Sequence, residues 1–246
     1  MKRTVAITGL LALALGCAKQ GSPTAAQSPS STANPMTSIA GAVTDSAGAP
    51  IGGVTVYVGY GYVPPKRPFS GAKSCSLLTF TIRPYAGGIG ILEWADTLER
   101  RSAEWKVERA VGNGSLSYHV AFSLPAGGNT VTRGSFYYFD TDTAGVANRP
   151  LYYRISEYDS SGVKTIHAAD LFYYTRHVKT TSDGRFALAG IPVDSLVSTV
   201  NDTGAIDGSA RISRTVTVYA TRDTSTYSRP VSLTKDTVTT VNFTVR

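Results

Sequence analysis

The chain has 246 residues and a formal net charge of +7, and 17% of its residues are charged. Its lysines and arginines are spread along the chain without a basic cluster, so we expect no nucleic-acid partner. With only two cysteines, the chain has no disulfide framework, and we expect its stability to come from packing.

The first 16 residues predict a secretory signal peptide. Lys2 and Arg3 precede an uncharged apolar run over residues 5–15. That run is shorter than the roughly 20 residues of a membrane-spanning helix. The pair Gly16-Cys17 follows and resembles a bacterial lipobox, which implies cleavage before Cys17 and a diacylglycerol on its sulfur. The alternative is a cleaved, freely secreted protein in which Cys17 has no special role.

The residues after Cys17 bear on where the anchor holds the protein. Ala18, rather than Asp, follows the cysteine, and by resemblance to enterobacterial lipoproteins this implies the outer membrane, on a side left open. Residues 17–37 are rich in Ser, Ala, Pro and Thr without apolar periodicity, so we expect a flexible, disordered linker. Cys75 then has no disulfide partner, and we expect it to be a buried apolar residue.

Beyond the linker, the sequence predicts β-strands. Ile39, Gly41 and Val43 alternate along a first strand, a turn follows at residues 44–48, and valines alternate along residues 54–58. Much later, the stretch TTSDGRFALAGIP at residues 180–192 predicts a glycine turn followed by a strand. No long stretch has apolar residues at helical spacing, so we expect an all-β chain.

Together, these two segments resemble the carboxypeptidase regulatory-like family, whose domain is a transthyretin-like β-sandwich. The matching positions are Gly41, Val43, Asp45, Gly48, Pro50, Ile51, Gly53, Val54, Val56 and the run from Thr180 to Leu188. In that family the two pieces lie close in sequence, whereas here a domain's length of chain separates them. A domain inserted at a loop tip explains the separation. We therefore assign residues 38–59 and 178–246 to a split "host" sandwich and residues 60–177 to an inserted "guest".

The guest also predicts antiparallel strands. Apolar residues alternate with charged or polar ones along residues 92–94, 105–108 and 152–155, and short turns rich in Gly, Asn, Asp and Ser separate such runs. We expect Trp94 and Trp105 to lie in the core. The residues expected to face outwards are Glu93, Lys106, Glu108, Tyr152 and Arg154.

This succession resembles a fibronectin type III-like module. The matching positions are Leu92, Trp94, Trp105, Val107, Glu108, Arg109, Tyr137 or Tyr138, Asp140, Tyr152, Tyr153, Arg154, Ile155, Asp159 and Gly162. The resemblance implies a second antiparallel sandwich. The complete expectation is an all-β fold of two antiparallel β-sandwiches, one inserted in the other, after a signal peptide and a disordered linker.

Some tyrosines lie where a ring can stack on a ligand. The candidates are Tyr60 and Tyr62, in the Gly-rich stretch YVGYGYVPP, and Tyr173 and Tyr174 near the end of the guest. The alternative is that these rings fill the sandwich cores. Two coplanar exposed rings favour a sugar ligand, and buried rings favour a scaffold.

The sequence contains no set of motifs that together indicate catalysis or metal binding, and we interpret the Ser-x-x-Lys matches at residues 70–73 and 161–164 as chance ones. Its three histidines stand apart, and no His-Glu-x-x-His or Gly-x-Ser-x-Gly motif occurs. The stretch DTDTAG at residues 140–145 begins like a calcium loop but places Ala144 where an oxygen ligand belongs and lacks the terminal glutamate. We therefore predict no catalytic residues, no metal ligands and no cofactor.

These observations predict a non-enzymatic, lipid-anchored protein of the cell envelope that acts as a structural or protein-interaction module. The alternative is a carbohydrate-binding surface lipoprotein, since the transthyretin-like fold that the resemblance implies is similar to starch-binding-type sandwiches and tyrosine-rich loops can stack on sugars. That alternative argues from fold, which by itself does not determine function. The expected partners are the membrane, through the lipid on Cys17, and an envelope protein or polysaccharide.

Overall fold

The computed structural model describes residues 35–60, 77–96, 99–112, 114–130, 134–174 and 177–246. The signal peptide, Cys17, most of the linker, Tyr62 and Cys75 lie outside these ranges. Within them the chain forms strands, turns and irregular segments but no helix. The predicted all-β fold is therefore confirmed.

The strands are β1 (Met36–Thr44), β2 (Thr55–Tyr60), β3 (Leu77–Pro84), β4 (Gly90–Asp96), β5 (Glu99–Val111), β6 (His119–Thr130), β7 (Gly134–Asp140), β8 (Arg149–Asp159), β9 (Lys164–Tyr174), β10 (Val178–Lys179), β11 (Arg185–Pro192), β12 (Leu196–Val200), β13 (Ile206–Arg211), β14 (Thr215–Arg222), β15 (Ser225–Ser232), β16 (Val238–Thr240) and β17 (Phe243–Thr244).

Strands from the two ends of the described chain form the host sandwich. One sheet has the order β11-β1-β16, with β17 also paired to β1, and the other has the order β10-β2-β14-β15. Their facing sides enclose an aliphatic core that includes Ile39, Val43, Val56 and Val218. Period-two alternation of valines and isoleucines places one side of each strand in this core.

The C-terminal segment differs from the expected antiparallel pattern. Strands β16 and β17 run parallel to β1, because the chain returns to β1 from the opposite sheet rather than through a hairpin. Between these strands it crosses directly over Gly41, where the Val241 amide donates to the Ala40 carbonyl at 2.9 Å. A Cβ at Gly41 would lie 1.7 Å from the Val241 carbonyl oxygen, so this crossing requires glycine.

Strands β3 to β9 form the guest sandwich. A three-stranded sheet, β3-β4-β7, faces a four-stranded sheet, β6-β5-β8-β9, and all pairs are antiparallel. Trp94 and Trp105 lie between the sheets, 1% and 0% exposed, as predicted.

A third apolar cluster joins the two sandwiches. The hairpin β12–β13 extends from the host over the outer side of the guest's four-stranded sheet, so that Val197 and Ile212 pack against Tyr152. The Tyr152 hydroxyl donates to the Ser198 carbonyl at 3.1 Å. The expectation that Tyr152 faces solvent was therefore wrong: it points away from the guest core, but the host covers it.

Candidate binding surface

Three of the four predicted stacking tyrosines have covered rings. Tyr173 and Tyr174 are 4% and 3% exposed, because β9 faces the host hairpin on one side and the guest core on the other. The Tyr60 ring lies 5.1 Å from that of Tyr173, and its hydroxyl donates to the Pro192 carbonyl at 3.0 Å. The Tyr60 and Tyr173 rings thus lie at the host–guest junction, whereas the Tyr174 ring packs in the guest core and only borders a surface pocket beside His177. Tyr62 lies outside the described residues.

Arg109 holds the acidic turn that begins like a calcium loop. Its guanidinium donates to both carboxylate oxygens of Asp140, at 3.0 and 2.8 Å, and to Asp142 at 2.6 Å. The Tyr153 hydroxyl donates to Asp140 at 2.5 Å. The Asp140 and Asp142 carboxylates are thus engaged by an arginine and a tyrosine, and the cluster fastens β5, β7 and β8 together.

A second charged cluster lies on the outer side of the four-stranded sheet. Glu108 is 5% exposed, so its expected exposure was wrong. Its carboxylate accepts hydrogen bonds from Arg154 at 2.8 Å, Lys164 at 2.7 Å and Ser156 at 2.6 Å. Although burial acts in the opposite direction, these donors lower the pKa of Glu108 to about 2. The cluster therefore stabilises the sheet above the ordinary glutamate pKa, and this contribution is lost as the pH falls towards 2.

A serine, a glutamate and a histidine also meet inside the guest. Ser102 donates to Glu157, and Nε2 of His167 lies 2.7 Å from the other Glu157 oxygen. In a catalytic triad the imidazole lies between hydroxyl and carboxylate and takes the hydroxyl proton. Here the carboxylate lies in the middle and all three side chains are buried. This trio therefore lacks the geometry that activates a serine nucleophile.

Asp170 is a partly buried carboxyl group on the side of β9 that faces the guest core. It shares a face of β9 with Ala168 and Phe172, both members of that core, and its carboxylate accepts a hydrogen bond from the Leu171 amide at 2.7 Å. Burial raises the pKa of Asp170 to about 6. No pattern in the sequence marks this position as different from the outward-facing acids.

Replacing this group, by Asp170→Asn, is expected to stabilise the protein at pH 8 by about 2 kcal/mol. The folded pKa of Asp170 is raised, so the contribution of this group to stability is greatest below its unfolded pKa and is lost as the pH rises through about 6. Urea unfolding at pH 4 and pH 8 measures the difference, with the exposed Asp207→Asn as control. A stability gain that is equal at both pH values would contradict the expectation.

Within the described ranges, no group of three or more His, Cys, Asp or Glu side chains is placed to hold a metal ion. In the same part of the chain, no helix has the length and hydropathy to cross a bilayer.

The outer side of the guest's three-stranded sheet carries exposed aromatic rings. Tyr137 and Phe139 on β7 are 65% and 40% exposed. Their ring centroids are 5.4 Å apart, and Tyr85 packs against Phe139 at 5.0 Å. We call Tyr85, Tyr137 and Phe139 the β7 face. Beside them, Arg83 and Glu93 form a two-bond ion pair at 2.9 and 3.3 Å.

The alternation of β7 explains this exposure. Its inward residues fill the guest core, where Phe136 stacks on Trp94 at 5.5 Å and Tyr138 stacks on Phe122 at 4.7 Å. The next residues on the strand then point to the other side, where no strand or loop of the described chain covers Tyr137. Because GSFYYFD has aromatic residues on both faces, the sequence did not indicate which set is buried, and it did not identify Phe139 as a site residue.

A shallow groove of about 400 Å³ lies where host and guest meet. Its lining combines host glycines and hydroxyls with the turn that follows Tyr85. The lining residues are Gly52, Gly53, Thr55, Ala86, Gly87, Thr221, Arg222 and Asp223. Most of these groups are hydrogen-bonding, so the groove suits a polar ligand rather than an apolar one.

No family model, curated protein or solved structure matches the chain. The resemblances to the two domain families stay predictions, and function has to be inferred from the chain's own residues.

Proposed function

We propose that the protein is a non-enzymatic, lipid-anchored protein of the cell envelope that acts as a structural and protein-interaction module through its β7 face. The observation that carries this proposal is the exposure of Tyr137 and Phe139 on an edge strand. Tyrosine and phenylalanine are enriched in protein–protein interfaces, and contiguous exposed apolar surface marks interaction sites.

The surroundings of the β7 face support a binding role. The Arg109 cluster ties the end of β7 to the neighbouring sheet, and the inward rings of β7 are stacked in the core. The strand is therefore held in place before a partner arrives, which reduces the entropy lost on binding. Arg83 and Glu93, the charged residues beside the β7 face, pair with each other. The aromatic rings are therefore the groups that this surface offers to a partner.

The anchor in this proposal is the lipid on Cys17. Acyl chains contribute about 0.8 kcal/mol per buried methylene, so two or three chains hold a protein on a membrane almost permanently. The expected result of Cys17→Ala is loss of fatty-acid labelling and movement of the protein out of the outer-membrane fraction. Ala18→Ser serves as the matched control. Equal membrane retention of parent and Cys17→Ala would overturn the anchor.

The test of the interaction surface is a photoreactive amino acid placed at Tyr137 in cells. We expect a cross-linked protein adduct at this position because the ring is at the centre of the β7 face. The control position is Ser228, which is exposed on β15 of the host. Absence of a protein adduct at Tyr137, or the same adducts at both positions, would contradict the proposal.

The second candidate is carbohydrate binding. It is favoured by the polar groove beside the Tyr85 turn, where Thr55 and Thr221 offer hydroxyl groups. It is disfavoured by the ring geometry: Tyr85 and Tyr137 are inclined to Phe139 by 58° and 79°, so the β7 face is not a flat stacking platform. Binding to a polysaccharide panel that survives moderate salt, falls with Thr221→Val in the groove and persists with Tyr137→Ser would favour sugar.

A further inference from the structure

Strand β7 lacks the features that protect the other sheet edges of the described chain. Edge strands present unpaired backbone groups, and proteins protect them with prolines, charged side chains, bulges or short length. The protected edges are β3 with Arg83, Pro84 and a register shift, β6 with Pro125 and register shifts, β9 with Lys164, β11 with Arg185 and Pro192, the five-residue β12 with a register shift, β13 with Asp207 and Arg211, β15 with Arg229 and Pro230, and the short β10, β16 and β17.

By contrast, β7 is a regular strand. All seven of its residues pair with β4 without a register shift, and no described strand pairs with its other edge. It contains no proline, lysine or arginine. Its only charged residue, Asp140, is buried and bound to Arg109. The edge is therefore open to another strand and carries no charge that would repel one.

We propose that β7 pairs antiparallel with β7 of a second copy of the chain, so that two guest sheets join into one continuous sheet. This inference rests on the proposed function, because it names the partner of the β7 face. Pairing between sheet edges satisfies the open backbone groups and buries the adjoining side chains.

The geometry of a two-fold pair determines its register. Residues opposite each other in an antiparallel pair point to the same side of the sheet, so the symmetry axis must pass through a residue that faces its own copy. Strand β7 runs from Gly134 to Asp140, and Tyr137 is its central residue. An axis through Tyr137 therefore gives every residue of the strand a partner in the second copy, whereas an axis through any other residue leaves one end unpaired. Tyr137 then lies opposite Tyr137, and Ser135 lies opposite Phe139.

This register is complementary in size and charge. The small Gly134 and Ser135 of one copy lie opposite Asp140 and Phe139 of the other, and no like charges face each other. The neighbouring Arg83–Glu93 ion pair is neutral as a unit. Cross-strand aromatic pairs add to sheet stability, so Tyr137 would contribute most at the centre. A second copy therefore fits this edge without any change of its residues.

The test is disulfide formation by Tyr137→Cys in the full-length chain, in membranes, with Cys75→Ser in every variant. Opposite residues in an antiparallel pair have Cα atoms about 4.5–5.5 Å apart, within the range that a disulfide spans. We expect oxidation to convert most of the Tyr137→Cys protein to a linked dimer. Thr81→Cys, on β3 of the same face, is the control, because two copies of it would lie about 24 Å apart.

The register has its own test. A mixture of Ser135→Cys and Phe139→Cys chains should form the mixed dimer, whereas either variant alone should not link. Failure of Tyr137→Cys to link overturns the inference. If the photoreactive group at Tyr137 nevertheless captures a different protein, the proposed function stands with another partner. If it captures nothing, both proposals fail.

Discussion

Gly41→Ala is expected to destabilise the protein by about 3 kcal/mol or more, because it forces the backbone apart at a chain crossing. The added Cβ would lie 1.7 Å from the Val241 carbonyl oxygen. To relieve the clash, the segment between β16 and β17 must leave β1, with loss of the bonds from the Val241 amide to Ala40 and from the Ala42 amide to Asn242.

The matched control for this change is Gly48→Ala. Gly48 has φ of +84° but no atom within 4 Å of an added Cβ, so its cost is conformational only, about 1 kcal/mol. Urea unfolding of the two variants measures the difference directly. Equal destabilisation of the two would show that the C-terminal segment does not cross at Gly41.

Arg109→Met is expected to cost about 3–5 kcal/mol, since it leaves a buried carboxylate without its cation. Asp140 is 0% exposed, and after the change Tyr153 is the charged or hydroxyl partner that the described residues leave to it. Methionine preserves most of the side-chain volume, so the loss of stability reports the charge rather than a cavity. The same unfolding experiment measures it.

Two further variants separate charge from packing. Arg83→Met breaks the Arg83–Glu93 pair, whose side chains are 56% and 43% exposed, and is expected to cost less than about 1 kcal/mol. Adding Asp140→Asn to Arg109→Met removes the unpaired negative charge of Asp140 and should restore part of the stability. If Arg109→Met and Arg83→Met had the same small effect, the cluster would not be structural.

The all-β fold could be predicted from local patterns in the sequence. Alternating valines and glycine turns predict strands wherever each strand has one buried side, and Trp94 and Trp105 could be placed in the core because charged residues flank them. The C-terminal crossing over Gly41 could not be predicted, because it depends on contacts between residues two hundred positions apart in the chain, such as the hydrogen bond from the Ala42 amide to the Asn242 side chain.

The site was predicted less well, for a physical reason. Tyr173 and Tyr174 lie on a strand that is covered on both sides, and the cover comes from a host hairpin distant in sequence. Glu108 is buried because Arg154 and Lys164, on two other strands, neutralise it. The exposed rings of β7 alternate with buried rings of the same chemical type, so hydrophobic periodicity does not distinguish them.

The most direct test of a protein-binding role for the β7 face is the size of the native complex in outer membranes. Tyr137→Lys places a charge at the centre of the open edge, where lysine is known to block strand pairing. The parent chain is expected to migrate in an assembly larger than one chain on a native gel, and Tyr137→Lys as a single chain, with Ser228→Lys unchanged from the parent. Identical migration of parent and Tyr137→Lys would contradict the role assigned to this surface.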